Sequence, residues 1–178
     1  MKVLHFYKTY LPDTIGGVEQ MINQIVLGVA DLGVASEVLS LSLSVVEKTI
    51  EVDGHVVHRC RSNFEVASTP FSASAFKQFR QLALGVDLIH YHFPFPFSDI
   101  VHFATQVKKP TLVSYHSDIV KQKWLSKLYK PLMHHFLSDI DHIVASSPNY
   151  LESSDTLSRF KHMASVIPFG LNKSSYPK

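Results

Sequence analysis

Val3-Leu4-His5-Phe6-Tyr7, with the loop that follows it and ends Thr14-Ile15-Gly16-Gly17-Val18-Glu19, decides how the rest of the chain is read. The first stretch is short, mostly apolar and bounded by Lys2 and Lys8, the mark of a buried strand. After the loop, Val18, Met21, Ile22, Ile25, Val26, Val29 and Leu32 recur with a helical period. Gly33 stands where a C-terminal cap belongs. A strand–Gly–Gly–helix junction lets a backbone approach a phosphate. Glycine has no Cβ, and the first N–H groups of a helix lack partners and favour anions. The same two glycines also suit a plain turn, so the junction by itself leaves both readings open.

Working outward, Ala35–Leu43 reads as a second strand, and Ile50–Val52 and Val56–Cys60 flank Asp53-Gly54, a hairpin signal. Helices are predicted over Ser72–Leu84, Phe97–Val107 and about Lys121–Leu137, the last with a break at Pro131. Strands are predicted at Asp87–Tyr91, Thr111–Tyr115, His142–Ala145 and Ala164–Ile167, with a short helix over Pro148–Ser154. Strands alternating with helices imply right-handed crossovers, hence one doubly wound, Rossmann-like α/β domain with a mostly parallel sheet and helices on both faces. Ligands of such folds collect at the C-terminal ends of the strands. The segments to inspect are therefore Lys8–Gly17, His90–Pro94, Tyr115–Asp118, Ser146–Asn149 and Phe169–Gly170.

Composition narrows the function classes. The 178 residues suffice for one substantial core. The net charge of +2 is too small to announce a nucleic-acid binder. Cys60 is the lone cysteine, which fits a reducing, cytoplasmic setting. No segment has the ~18 uncharged apolar residues of a membrane span, and the N-terminus has no signal-peptide core, so any membrane association is expected to be peripheral, on the inner face of the plasma membrane.

Five strand-end motifs then fall into one order: Gly16-Gly17-Val18-Glu19, Asp87-Leu88-Ile89-His90-Tyr91-His92, Ser114-Tyr115-His116-Ser117-Asp118, Ala145-Ser146-Ser147-Pro148-Asn149-Tyr150-Leu151 and Val166-Ile167-Pro168-Phe169-Gly170-Leu171. In order and approximate spacing they resemble the N-terminal half of the retaining glycosyltransferases of family 4, two-domain GT-B enzymes. The Tyr-His-Ser-Asp run looks most like members that add mannose or a related hexose to bacterial surface polysaccharides. The resemblance implies a GDP- or UDP-linked sugar as donor substrate, no separate cofactor, and a saccharide or lipid-linked saccharide as acceptor.

It also implies roles for particular residues. Gly16 and Gly17 would present N–H groups to the donor β-phosphate, and His116 would stand beside the transferred sugar as the catalytic residue. Glu19, His92, Ser117 and Asp118 would contact sugar or acceptor. Beside these stand plainer readings: Glu19 as a favourable charge at a helix N-terminus, and Asp118 as the cap of the following helix. In this family the acceptor attacks from the face the diphosphate leaves, so catalysis rests on positioning and on neutralising charge where it develops. The chain departs from the family pattern in one respect. The family's second domain holds the donor with an Arg, a Lys and two glutamates eight positions apart, and no two glutamates here are so spaced. Residues 1–170 are accordingly expected to form the acceptor-side domain and 171–178 to begin an interdomain linker. The nucleotide-sugar domain would be absent and the chain alone inactive.

Three further features carry competing readings. His90 and His92 share a sheet face by the two-residue period. A metal pair there, with His58 or Cys60, finds no further ligand at a recognised zinc spacing, so no metal is assigned. Lys123, Lys127 and Lys130 share one helix face near Trp124, with Leu125, Leu128 and Leu132 expected opposite; such a face suits anionic lipid headgroups or plain solvent. A dinucleotide-dependent oxidoreductase would need Gly-x-Gly-x-x-Gly after the first strand and an acidic residue ending the second, and neither occurs here. A non-catalytic sugar- or phosphate-binding or regulatory module of the same fold stays open.

Overall fold

Sixteen elements succeed one another in the computed structural model, which describes residues 1–44, 47–119 and 123–170. They run β1 (Lys2–Phe6), α1 (Gly17–Ala30), β2 (Ala35–Ser42), β3 (Thr49–Val52), β4 (His55–Arg61), β5 (Phe64–Val66), β6 (Thr69–Phe71) and α2 (Ala73–Leu84). Then follow β7 (Leu88–Phe93), α3 (Pro96–Thr105), β8 (Thr111–Tyr115), α4 (Lys123–Asp139), β9 (His142–Ala145), α5 (Pro148–Ser153), a 3-10 helix (Leu157–Met163) and β10 (Ala164–Val166). Among the described residues, eight strands form one sheet in the order β10-β9-β8-β7-β1-β2-β4-β3. All neighbours are parallel except β3, which returns antiparallel on β4. The doubly wound α/β fold is as expected.

Local chemistry explains most boundaries. Gly33 takes φ +75, and the N–H groups of Gly33 and Val34 turn back to the carbonyls of Ala30 and Val29 at 2.9 and 3.2 Å, ending α1. Asp53 and Gly54 both have positive φ, 46 and 81, the two-residue turn that joins β3 to β4. Two expectations change. Helix α4 runs unbroken through Pro131, which is exposed, as is Lys127 one turn earlier, so the missing N–H falls at an exposed stretch of the helix. The ribbon β5–β6 had no signal, because its turn uses Ala67 and Ser68 at positive φ in place of glycine or asparagine. The proposed linker, 171–178, lies outside the described residues.

The two sheet faces differ in chemistry. One carries Leu4, Phe6, Tyr91 and Val113, all buried, under α2, α3 and α4. There Phe6 meets Phe79 at 5.3 Å and Tyr91 meets Phe136 at 5.2 Å between ring centroids. The other face, under α1, carries Val3, His5, Val38, His90, His92 and Ser114, also buried. Register puts His5 opposite His90 on the neighbouring strand, and their rings lie 4.8 Å apart. No helix among the described residues is long and apolar enough to cross a membrane.

Burying imidazoles without charge partners sets a pH dependence. Desolvation lowers the pKa of His5 from 6.5 to about 3 and drives those of His90 and His92 well down, their neighbouring histidines adding to the effect. The unfolded chain therefore takes up protons below pH ~6.5 while the folded chain does not, so stability is intact above that pH and falls below it. Each ring contributes a slope of up to ~1.4 kcal/mol per pH unit. The urea midpoint is expected to drop between about pH 7.5 and pH 5.5, above the range where carboxylates titrate. A midpoint level across that window would contradict neutral burial of these rings.

Candidate functional site

Strand β1 lies between β2 and β7, so the chain first adds strands on one side and then, from β7 onward, on the other. Past the C-terminal ends of β1 and β7, at such a reversal, open α/β sheets take their ligands. The glycine loop leaves β1 there. His116 follows β8, two interstrand spacings or about 10 Å away.

The two glycines do different things. Gly16 is the extended N-cap of α1, with φ −120 and ψ 174, and its carbonyl accepts the Gln20 N–H at 3.0 Å. Glu19 folds back against it. Oε1 of Glu19 accepts from Thr9 Oγ1 at 2.7 Å and from Thr14 Oγ1 at 2.9 Å, and a Cβ on Gly16 would run into Oε2. Gly16 thus makes room for a buried carboxylate that ties the loop to the helix. Gly17 is open, since a Cβ there would meet nothing within 4 Å. The N-cap of α1, Gly16, makes no side-chain cap hydrogen bond among the described residues, and the first N–H groups of a helix lack intrahelical partners.

His116 continues the β8 ladder, its N–H reaching the Phe93 carbonyl at 3.0 Å. Its ring is partly exposed, lies 5.7 Å from the Phe169 ring, and has Nε2 3.2 Å from His92 Nδ1. Burial lowers its pKa to about 4, so the ring is neutral near pH 7 and acts through hydrogen bonds rather than charge. His92, expected at the cleft, is wholly buried with both nitrogens committed, the second 3.1 Å from His5 Nδ1. It reaches the cleft only through His116. His5 was not anticipated. A lone polar residue within a buried apolar strand, beside a His-x-His strand in the doubly wound order, was the available signal.

Asp118 does not point free, and its expected role as cap of the following helix turns on residues 120–122, which lie outside the described residues. Its Oδ1 accepts from Tyr115 Oη and Ser154 Oγ, each at 2.8 Å, which ties the loop after β8 to the end of α5. Ser117 is exposed beside it. His58 and Cys60 do not join His90 and His92: His58 binds Glu37 at 3.1 Å on the opposite face, and Cys60 is buried on β4. The third imidazole near that pair is His5. The ligand nitrogens of the three lie within 4.8 Å of one another, a grouping with the make-up of a metal site, and His5 Nδ1 and His92 Nε2 are at hydrogen-bond distance, 3.1 Å. A groove of about 1110 Å³ runs along the α1 face of the sheet, with His5, His90 and Ser114 in its lining and Phe169 at its rim.

On α4, Lys127 and Lys130 are exposed, and the side chains of Lys123 and Trp124 lie outside the described residues. Leu128, expected inward, is 73% exposed next to these lysines, because Met133, Phe136 and Leu137 take the inward face.

Known proteins share this fold and much of this sequence. Over its full length the chain is 51% identical to the D-rhamnosyltransferase WbpZ of Pseudomonas aeruginosa and covers 47% of it. Over 173 residues, 97% of the chain, it is 50% identical to the O-antigen chain mannosyltransferase C of Escherichia coli, again covering 47%. The chain thus spans about half the length of the curated relatives it matches. Among solved structures, sucrose-phosphate synthase from Thermosynechococcus elongatus superposes with a TM-score of 0.66 at 16% identity, over 97% of this chain and 49% of that one. Anabaena Alr3699/HepE, solved with UDP and glucose, superposes with 0.62 at 16% identity, over 99% and 46%. These likenesses show the fold, the Rossmann-like half of a GT-B architecture. The profile of Glycosyltransferase Family 4 matches residues 15–174, and the chain belongs to that family.

Proposed function

We propose that this chain is the acceptor-side half of a retaining glycosyltransferase of bacterial surface polysaccharide synthesis. Its substrate would be a manno-configured hexose carried on GDP or UDP, transferred to a growing glycan or lipid-linked acceptor. One observation carries the reading: a neutral, partly exposed His116 lies at the switch point two strands from the uncapped, glycine-opened start of α1. That span suits a sugar diphosphate, with phosphate on the helix N–H groups and sugar by the imidazole. The sugar class is supported by the two half-identical relatives, named for mannose and for D-rhamnose, its 6-deoxy form.

In this reading the leaving diphosphate gains negative charge as the sugar C1 becomes cationic, and the α1 N–H groups meet that charge. His116, neutral at pH 7, hydrogen-bonds a sugar hydroxyl and fixes the ring in place. The carboxylates flanking the cleft, Glu19 and Asp118, are each held by two hydroxyl donors, which supports transfer without a covalent carboxylate intermediate. Most donor contacts would come from a second half of the kind the relatives carry, so the chain alone binds nucleotide sugar weakly and does not turn over. The exposed Lys127, Leu128 and Lys130 would rest on anionic lipid near a lipid-linked acceptor.

Joining this chain to the second half of the E. coli mannosyltransferase is expected to give an active chimera. His116→Ala should lower its kcat/KM by about 100-fold or more without loss of fold. Undiminished transfer by that variant would overturn the assignment of His116. The glycines should separate: Gly16→Ala destabilises the protein by displacing Glu19, whereas Gly17→Val leaves the melting temperature nearly unchanged and raises the donor KM. Equal effects of the two on stability would contradict the division of labour between them. In pelleting assays, the chain should sediment with anionic vesicles at low salt, and Lys127→Glu with Lys130→Glu should abolish this; no binding by the wild type would remove the membrane contact.

A further inference from the structure

His5, His92 and His116 form a ribbon rather than a pile. The two nitrogen–nitrogen contacts along it are 3.1 and 3.2 Å. Adjacent ring planes differ by only 17° and 6°, and the centroids are 5.4 and 5.5 Å apart. Those separations are what two rings joined edge to edge by one hydrogen bond require. His90 does stack, 4.3 Å from His92, and covers the flank of the ribbon while its own Nε2 pairs with Ser114 Oγ at 2.8 Å. The ribbon has two ends. At the cleft, His116 Nδ1 has no hydrogen-bond partner among the described residues, and its ring is partly exposed. At the other end, His5 Nε2 is buried and unpartnered.

Each neutral imidazole carries one N–H and one lone pair. The ribbon therefore has two self-consistent proton arrangements. With hydrogen on every Nε2, the donors point inward and the last one, on His5, meets no acceptor. With hydrogen on every Nδ1, His5 donates to His92, His92 donates to His116, and His116 Nδ1–H points out to the cleft. The second arrangement leaves a lone pair rather than an N–H unpaired in the interior, and orphaned N–H groups are the rarer of the two. Each bond also polarises the next, which strengthens the terminal donor.

We infer that His5 and His92 are positioning residues that hold His116 in its Nδ1–H tautomer, so that it presents a hydrogen-bond donor to a sugar hydroxyl. A free imidazole side chain in water favours the opposite tautomer, so the ribbon imposes a state that His116 would not adopt alone. The inference rests on His116 being the residue that meets the sugar. It gives His92 and His5 an influence on transfer although neither touches the ligand.

Long-range proton–nitrogen correlation spectra of the chain, labelled with 15N histidine, test this directly. The expected result is hydrogen on Nδ1 of His5, His92 and His116, with nitrogen–nitrogen coupling across both hydrogen bonds. In His92→Leu, His116 should revert to Nε2–H. In His92→Asn, whose amide N–H replaces the lost donor, His116 should keep Nδ1–H. If His92→Leu does not fold, the wild-type and His92→Asn spectra decide. A proton on His116 Nε2 in the wild type, or a His116 tautomer indifferent to His92→Leu, would overturn the inference. These spectra need no sugar, so they are independent of the His116→Ala chimera: full transfer by that variant would defeat the functional reading while leaving the ribbon intact.

Discussion

Where β1 pairs with β7, His5 comes to lie opposite His90, and the chain reverses the direction in which it adds strands. That reversal is the switch point at which open α/β sheets take their ligands. The same parallel pairing sets which side chains share a face, since a one-residue slip of β1 would carry His5 into the aromatic layer and Phe6 out of it, and a slip of β7 would do the same to His90, His92 and Tyr91. Phe6 packs on Phe79 and Tyr91 on Phe136 only in the observed register. The aromatic side thus fixes the alignment, and the histidine side uses it.

A polar stripe inside a parallel sheet is costly unless its hydrogen bonds are made. Here they nearly all are: His90 to Ser114, His5 to His92, and His92 to His116, with His5 Nε2 and Ser36 Oγ left over. Neutral rings cost less to bury than charged ones, which is why desolvation lowers every one of these pKa values. The loop after β1 shows a similar economy. Glu19 sits near a helix N-terminus, where its charge is favourable, and two threonine hydroxyls hold it there. Gly17 stays open, with nothing within 4 Å of where a Cβ would stand.

The architecture was legible in the sequence because period and punctuation agreed at each step, from the helical spacing after Val18 to the Asp53-Gly54 turn. For the candidate site, the sequence offered only strand ends, where His116, Gly16 and Gly17 could be named. Partners across the sheet could not. Nothing local tells that Asp118 answers to Ser154, 36 residues on, or that His92 is sealed behind His116. Leu128 misled because helical spacing gives faces without saying which one packs, and Met133, Phe136 and Leu137 fill the inward face more fully. Gly16 looked like half of a phosphate cradle, and its packing against Glu19 could not be read from spacing.

The central claim is that the switch-point crevice, between the start of α1 and His116, is where sugar and phosphate meet. The most direct measurement is a crystal structure of the chimera with a nucleotide sugar bound. The account predicts a phosphate oxygen on the N–H groups at Gly17 and Val18 and a sugar hydroxyl within hydrogen-bond reach of His116 Nδ1. A sugar diphosphate seated instead in the groove along the α1 face, with His116 untouched, would contradict it.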